Sequence, residues 1–178
     1  MFDKVLNDVI KYAESLGLNI QFKNDLDEYF KGDLDGVSIF CIEMNHDEML
    51  FNILHMIGHT VQWNVSGELR EFGSKTYLKP NQELMLKLQE YEWEANCYGL
   101  YILHKLGINN LDQWLHDKFV LDISYLTHFY ATGEKLREIT LESLKYPFSK
   151  PLIPKSIPPF KPYKSEGSRN GIVIDFSK

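Results

Sequence analysis

The longest apolar stretch of the chain lies at residues 49–64, where hydrophobic side chains fall on almost every face of a predicted helix. No proline interrupts it, and this pattern is typical of a helix buried in a protein core. Residues 4–16 and 81–106 also carry apolar residues at helical spacing, and Gly17 and Gly107 follow them as C-caps. The pattern therefore predicts three helices that share a core.

Strands are predicted between the first two helices. Residues 18–22 alternate apolar with polar side chains, and residues 37–42 form a β-branched run that is typical of an interior strand. The acidic, glycine-containing residues 24–36 between them are expected to form a loop or a short helix with a turn. Residues 65–80 are expected to be a surface loop or lid, and another helix is predicted over 110–133.

The end of the chain differs in composition from the rest. Residues 145–178 hold six of the seven prolines, and their seven Lys/Arg against two Asp/Glu give +5, which leaves −11 for the remainder of a chain of total charge −6. We predict a domain over 1–146, its last part (134–146) helical, and a Pro-rich, basic, extended tail over 147–178 that packs on it. Its last apolar run could add an edge strand. The tail residues that a solvated arm would not need are Phe148, Ile153, Ile157, Phe160, Tyr163 and Ile172.

Composition limits the class of protein. A chain of 178 residues with 44% hydrophobic content can bury one good core. The sequence contains no apolar run of membrane-spanning length and does not begin with a signal-peptide pattern. Cys41 and Cys97 provide no disulfide framework, so we expect a cytoplasmic protein without a membrane span. The negative charge argues against nucleic-acid binding by the body.

Two histidines in the central helix have the spacing of metal ligands. His55 and His59 are four residues apart and therefore lie on one helix face, as in the zinc motif H-E-x-x-H. Each buried imidazole needs polar partners, and one metal ion would satisfy both. The alternative is two ordinary core histidines bonded to backbone carbonyls. The motif's glutamate, which serves as general base, is replaced by Met56.

Periodicity selects one carboxylate in the later helix as a third ligand. Glu92 falls on the apolar face, whereas Glu94 falls on the opposite, wetter face. A carboxylate on a buried face is costly unless it is paired or binds a metal. Asn96 lies one turn further and could orient a ligand. Ala95 and Gly99 on the same face are small enough to let another helix approach closely.

Polar residues just before the histidine helix have a capping interpretation. Asn45 is predicted to be the N-cap and Glu48 its reciprocal partner, with acidic residues suiting the helix dipole. The alternative for His46, Asp47 and Glu48 is that one of them faces the metal. The remaining histidines lack ligand spacing and are interpreted as ordinary surface or core residues: His104, His116 and His128.

The chain resembles the ImmA/IrrE family of zincin-fold metallopeptidases in two motifs. Phe51–His59 is similar to the family's histidine motif, and Glu92–Asn96 looks like its E-x-E-A-N motif. The resemblance covers about residues 4–106. It implies an α+β, zincin-like fold with a small twisted sheet packed on helices, and zinc held by the two histidines and Glu92.

The chain also departs from the family pattern. Met56 stands at the base position, Trp63 where many relatives have a further histidine, and Tyr98-Gly99 where alanine is usual. General acid–base catalysis typically supplies about 10²–10⁴-fold in rate. We therefore predict a metal-binding protein without ordinary peptidase activity, which acts in regulation or in binding a protein or peptide partner.

Three alternatives remain open at this point. The chain could be an active zinc metallohydrolase with a relocated base, and the nearest carboxylates in sequence are Glu43, Asp47 and Glu48. Two histidines and one carboxylate also form the site of non-haem iron or manganese enzymes. The chain could also be a metal-free descendant of such proteins. The sequence does not settle whether the protein is an enzyme, its native metal, its partner or its oligomeric state.

Overall fold

The structure is a computed structural model that describes residues 2–23, 31–134, 140, 150–165 and 172–176. It is a mixed α+β fold. The helices in these residues are α1 (Phe2–Ser15), α2 (His46–Val65), α3 (Gly67–Gly73), α4 (Gln82–Lys105) and α5 (Asp112–Thr132). The strands are β1 (Asn19–Phe22), β2 (Gly32–Leu34), β3 (Ser38–Cys41), β4 (Thr76–Leu78) and β5 (Val173–Asp175). None of the described helices combines the length and apolar content that a bilayer-spanning segment requires.

The pair α2 and α4 forms the centre of the molecule. Almost all of α2 is buried, as its apolar pattern predicts. At Gly58 a Cβ atom would lie 2.1 Å from the backbone oxygen of Ala95, and at Gly99 it would lie 3.3 Å from Cβ of Leu54. The two helices therefore touch backbone to backbone, and the expectation that small residues on α4 permit close approach is confirmed.

A three-stranded sheet packs beside α2 in the order β1-β3-β2. β1 runs parallel to β3 and β2 antiparallel to it, so β3 is interior as predicted. The expectation of a loop or short helix over residues 24–36 is wrong for β2. Those residues form a strand because β3 supplies its hydrogen-bonding partner, which the local composition does not reveal.

The surface loop expected at residues 65–80 is also wrong, since these residues contain α3 and β4. The hydroxyl of Ser66 caps α3 by accepting from the backbone N–H of Leu69. β4 pairs in parallel with β5, with Thr76 opposite Val173. The strand predicted near the end of the chain is therefore present, and its partner is almost one hundred residues earlier.

Asparagine side chains cap the starts of the two central helices, and Asn45 is the cap that the sequence predicts. Asn45 and Asn81 cap α2 and α4 through their side-chain oxygens. α5 begins at Asp112, slightly later than predicted, without a side-chain cap, and ends at Gly133 in the left-handed conformation (φ 75°). The helix expected over 134–146 lies almost entirely outside the described residues.

Residues 150–165 run along the body without regular secondary structure. The indole N–H of Trp93 donates to the carbonyl of Pro151 (3.2 Å), and the backbone N–H of Lys155 donates to the carbonyl of Cys97 (3.1 Å). Further along, the backbone N–H of Ser165 donates to the carbonyl of Asp35 (2.8 Å). The apolar side chains of this segment that pack against the main core are Leu152, Ile157 and Phe160.

Candidate metal centre

Three side chains converge at the contact between α2 and α4. Nε2 of His55 lies 2.9 Å from Nε2 of His59, and Oε2 of Glu92 lies 3.2 Å and 3.0 Å from these two nitrogens. The three residues are only 6%, 6% and 3% exposed. They form a group of metal-ligating side chains that could hold an ion, and they are the three residues predicted from the sequence as ligands.

The backbone places these ligands together. The two histidines occupy successive turns of α2 and therefore point the same way. The close approach at Gly58 brings α4 near enough for Glu92 to reach both imidazoles. The site is thus a consequence of helix packing at a glycine, which lies in α2 between the two histidines.

The arrangement fits a divalent metal. Zinc takes nitrogen and carboxylate ligands at about 2.0–2.2 Å, so ligand atoms in a tetrahedral site are about 3.3 Å apart. The three donor atoms here are 2.9–3.2 Å apart, close to that spacing. These three side chains would hold the ion, and three protein ligands are the number found in catalytic zinc sites, whereas structural sites use four.

Gln62 fixes the proton of His59. This fully buried side chain donates through Nε2 to the carbonyl of Tyr91 (2.9 Å) and to Oε2 of Glu94 (2.8 Å). Both amide hydrogens are thereby used, so Oε1 accepts from Nδ1 of His59 at 2.8 Å. This arrangement turns Nε2 of His59 towards Glu92 and leaves it available as the metal-binding nitrogen.

Asn96 occupies the corresponding position behind His55. Its Nδ2 donates to the backbone carbonyl of Glu92 (3.0 Å) and lies 2.8 Å from Nδ1 of His55, while its Oδ1 is buried without a hydrogen-bond partner. A metal on Nε2 of His55 requires a proton on Nδ1 and an acceptor beside it. Turning the amide would bring the unpartnered oxygen to that place but would also break the bond to the Glu92 carbonyl, so the fit to a metal ion rests on the spacing of the three ligand atoms. The predicted position of Asn96 near a ligand agrees with this arrangement.

The charge state of the centre also suits a cation. Burial alone would raise the pKa of the Glu92 carboxyl group, but the charges and hydrogen bonds of His59 and His55 outweigh it and lower this pKa to about 2. Burial alone would lower the pKa of His55, whereas its contact with Glu92 raises it. An anionic carboxylate therefore faces two imidazoles that need a shared proton or a metal between them.

Met56 lies where β2 approaches α2. A Cβ atom at Gly32 would lie 2.9 Å from Cγ and 3.0 Å from Sδ of Met56, so the thioether packs directly against the strand. Nearby, Nδ2 of Asn52 donates to the carbonyl of Lys31 (2.8 Å), which fixes the start of β2 on the same helix. A thioether in this place cannot accept a proton from water at neutral pH.

The carboxylates considered as alternative ligands or bases have other contacts. Asn45 accepts from the backbone N–H of Glu48, and the side chains of Asp47 and Glu48 bind Lys118. The capping interpretation is therefore correct for Asn45. The carboxylate of Glu48, however, pairs with lysines and does not return to the cap as predicted. Glu43 is exposed and lines an open groove of about 340 Å³.

Three residues that interact with the candidate ligands were not predicted from the sequence: Gln62, Tyr91 and Asp122. The ring of Tyr91 stacks on His59 at 4.6 Å between centroids. Asp122 on α5 loses solvation in the fold, which raises its carboxyl pKa, and the charges of His55 and Glu92 act on it with opposite signs. The spacing of two of these residues could have indicated their positions. Gln62 lies one turn after His59 on the same helix, and Asp122 falls at core spacing in its helix.

Glu94 is half-buried rather than simply solvent-facing, because it accepts from Gln62 and pairs with Lys155. It is not among the three grouped ligand residues, as the sequence predicted. His104 lies away from them, with Nε2 at 2.8 Å from Asp112. The assignment of a metal centre depends on this local geometry alone, since the chain matches no protein-family model, no curated protein and no solved structure.

Proposed function

We propose that this protein is a zincin-like, ImmA/IrrE-type metal-binding protein that lacks ordinary peptidase activity and acts in regulation or partner binding. The observation that carries the proposal is the buried convergence of His55, His59 and Glu92 within 3.2 Å. Zinc is the metal that this donor set suits best. Iron or manganese is the alternative, because the same set forms a two-His-one-carboxylate site.

The absence of a base at Met56 is the reason to propose a loss of peptidase activity. A bound zinc lowers the pKa of its water to about 7, so it would supply a hydroxide-like nucleophile. The chain's own residues must then accept and deliver a proton, a role worth about 10²–10⁴-fold, or roughly 3–5 kcal/mol. Met56 packs against Gly32 and supplies no such group.

A protein or peptide partner is proposed because of the strand beside the site. β2 lies at the edge of its sheet among the described strands, and it packs on Met56 and Asn52 next to the histidines. An edge strand offers backbone groups to an extended chain. We place the protein in the cytoplasm, since both of its cysteines, Cys41 and Cys97, are unpaired and buried.

Elemental analysis of protein purified without added metal tests the proposal. We expect about one metal ion per chain and zinc in excess of iron and manganese. His59→Gln should abolish it, whereas the matched variant His104→Gln, which alters a histidine outside the centre, should retain it. Protein that contains no metal and binds none on titration with zinc would show the proposal to be wrong.

An active hydrolase with a relocated base is the second candidate, and Asp122 is the observation that favours it. Its raised carboxyl pKa and its electrostatic coupling to His55 and Glu92 are properties of a group that can exchange protons near the centre. If wild-type protein cleaves unstructured peptides and Asp122→Asn stops the cleavage while zinc stays bound, this candidate replaces the first.

A further inference from the structure

An open groove of about 340 Å³ lies where α2 begins, and none of the three candidate zinc ligands lines it. Its lining residues come from β1, the connection between β3 and α2, and the first turns of α2: Phe22, Glu43, Met44, His46 and Met49. Two of the chain's five methionines therefore lie beside a histidine in one cavity. Thioether sulfur is a soft donor, and soft donors select Cu(I) among the metals that proteins bind.

We propose that this methionine groove binds one Cu(I) ion through Sδ of Met44, Sδ of Met49 and Nε2 of His46. The inference goes beyond the proposed zinc-binding function and does not rest on it, because the two sites share no residue. Zinc takes imidazole, thiolate and carboxylate ligands. Two thioethers would therefore distinguish Cu(I) from zinc.

The capped start of α2 brings the two thioethers together. Oδ1 of Asn45 accepts from the backbone N–H of Glu48 at 3.1 Å, which closes the cap. Met44 immediately precedes this cap and Met49 is the fourth residue of the helix, and side chains at these two positions pack against each other as a hydrophobic staple. In agreement, Met49 belongs to the main core and Met44 packs against that core. A staple needs only two apolar side chains, whereas methionine at both positions also supplies two sulfur donors.

His46 offers its second ring nitrogen to the same groove. It is the first residue of α2 and lies three residues before Met49, so the two side chains share a helix face. Nδ1 of His46 contacts Oδ1 of Asp3 on α1. A carboxylate ion only accepts hydrogen bonds, so Nδ1 is the donor and the lone pair of the neutral ring is on Nε2. A carboxylate behind the imidazole is the usual outer partner of a metal-bound histidine.

The groove has a buried apolar side and a solvent-exposed polar side. Met49 is only 8% exposed, whereas the side chain of His46 is 53% exposed. Glu43 is also exposed, and its carboxylate would offset the single positive charge of the ion. Cu(I) would thus reach the imidazole from solvent and bind the sulfurs on the buried side.

The experiment titrates the full-length chain with Cu(I) under anaerobic conditions, in competition with a chromophoric Cu(I) chelator. We expect about one ion per chain. Removing the outer partner of a metal-bound histidine typically costs about 10–100-fold in affinity, so Asp3→Asn should weaken binding by about tenfold. The ligand variants Met44→Leu, Met49→Leu and His46→Gln should weaken it at least as much. Met85→Leu, which alters a methionine of α4 in the second apolar cluster, is the matched control and should bind as wild type does.

Methyl NMR spectra locate the ion directly, with Ag(I) as a probe that does not change its oxidation state. The methyl signals of Met44 and Met49 should shift together, while those of Met56 and Met85 stay in place. Leucine has a similar volume and preserves the staple, so both leucine variants should keep the thermal unfolding midpoint of wild type. If Met49→Leu does not fold, Met44→Leu and the exposed His46→Gln still decide the question.

Three results would overturn the inference. The first is wild-type protein that takes up no Cu(I), and the second is equal Cu(I) affinity in wild type, Met44→Leu and His46→Gln. The third is loss of Cu(I) binding in His59→Gln, which would place the ion at the zinc centre instead. His59→Gln should retain Cu(I) affinity, so a failure of zinc binding and a failure of this inference are distinguishable.

Discussion

Replacing Gly58 by alanine should move the proposed metal ligands apart. The glycine lies between His55 and His59, against the Ala95 backbone of α4. An added Cβ would lie 2.1 Å from the Ala95 oxygen, whereas real Cβ contacts stay beyond 3.0 Å. The helices must therefore separate by at least about 0.9 Å, or their backbones must distort.

The size of the effect follows from the ligand distances. The His59–Glu92 and His55–Glu92 distances cross the helix contact and would grow from 3.0 and 3.2 Å to about 4 Å, while the His55–His59 distance stays near 2.9 Å. Bonds of about 2.0–2.2 Å span 4 Å only when the ligands are almost opposite each other. We expect zinc affinity to fall by about tenfold or more. Overpacking should lower the free energy of unfolding by about 1–3 kcal/mol, partly offset by alanine's better helix propensity.

The assay compares urea unfolding and zinc affinity of Gly58→Ala with those of Gly99→Ala. The second variant adds a methyl group to the same interface from α4, where the nearest atom is Cβ of Leu54 at 3.3 Å. Leucine can yield by a few tenths of an ångström, so this control should stay within about 1 kcal/mol and twofold of wild type. If Gly58→Ala equals Gly99→Ala in both measurements, the close helix contact does not position the ligands and the reasoning is refuted.

Three further predictions concern the side chain at position 56, the ion pairs at the start of α2, and the stabilisation of the fold by zinc. Met56→Glu restores a carboxylate at the base position, so the zinc-loaded variant should cleave unstructured peptides that the parent leaves intact; strong cleavage by the parent would contradict this. Burial alone would raise the pKa of Glu48, but the hydrogen bonds and charge of Lys118 outweigh it and lower the pKa values of both Asp47 and Glu48 below their usual 3.8 and 4.5. These ion pairs therefore stabilise the folded state above about pH 4.5, and this stabilisation is lost as pH falls. Because these groups are partly exposed, Lys118→Met should lower the free energy of urea unfolding at pH 7 by only about 1 kcal/mol, with no difference near pH 2. Zinc at about one hundred times its Kd should raise the free energy of unfolding of wild type by about 2.7 kcal/mol. In thermal unfolding, zinc should therefore raise the midpoint of wild type but not that of His59→Gln.

The ligand set could be predicted because it depends on periodicities that a chain carries locally. His55 and His59 share a face of α2 by spacing alone, and the apolar pattern of α4 places Glu92, not Glu94, on the buried side. The small residue Ala95 then indicated where the two helices meet. These inferences needed only helix geometry and the cost of burying polar groups.

The parts that could not be predicted depend on partners far away in sequence. β4 is three residues long and exists because β5, nearly one hundred residues later, pairs with it. β2 likewise depends on β3, and its glycine and aspartate suggest a turn when considered alone. α3 is short and starts at a glycine, but the Ser66 cap and the bond from Arg70 to the carbonyl of Trp63 stabilise it.

The buried cluster of His55, His59 and Glu92 favours a metal-binding role over a metal-free structural one. Three polar side chains with buried donor atoms, backed by the fully buried Gln62 and by Asn96, are costly in a core unless each finds a partner. Without a metal, the anionic Glu92 and the two imidazoles need a shared proton between them, and Oδ1 of Asn96 has no hydrogen-bond partner. Apolar residues of similar volume would remove both problems and would often be neutral or stabilising. A metal ion would satisfy all three ligand side chains at once, whereas Met56 concerns only what the bound metal can do.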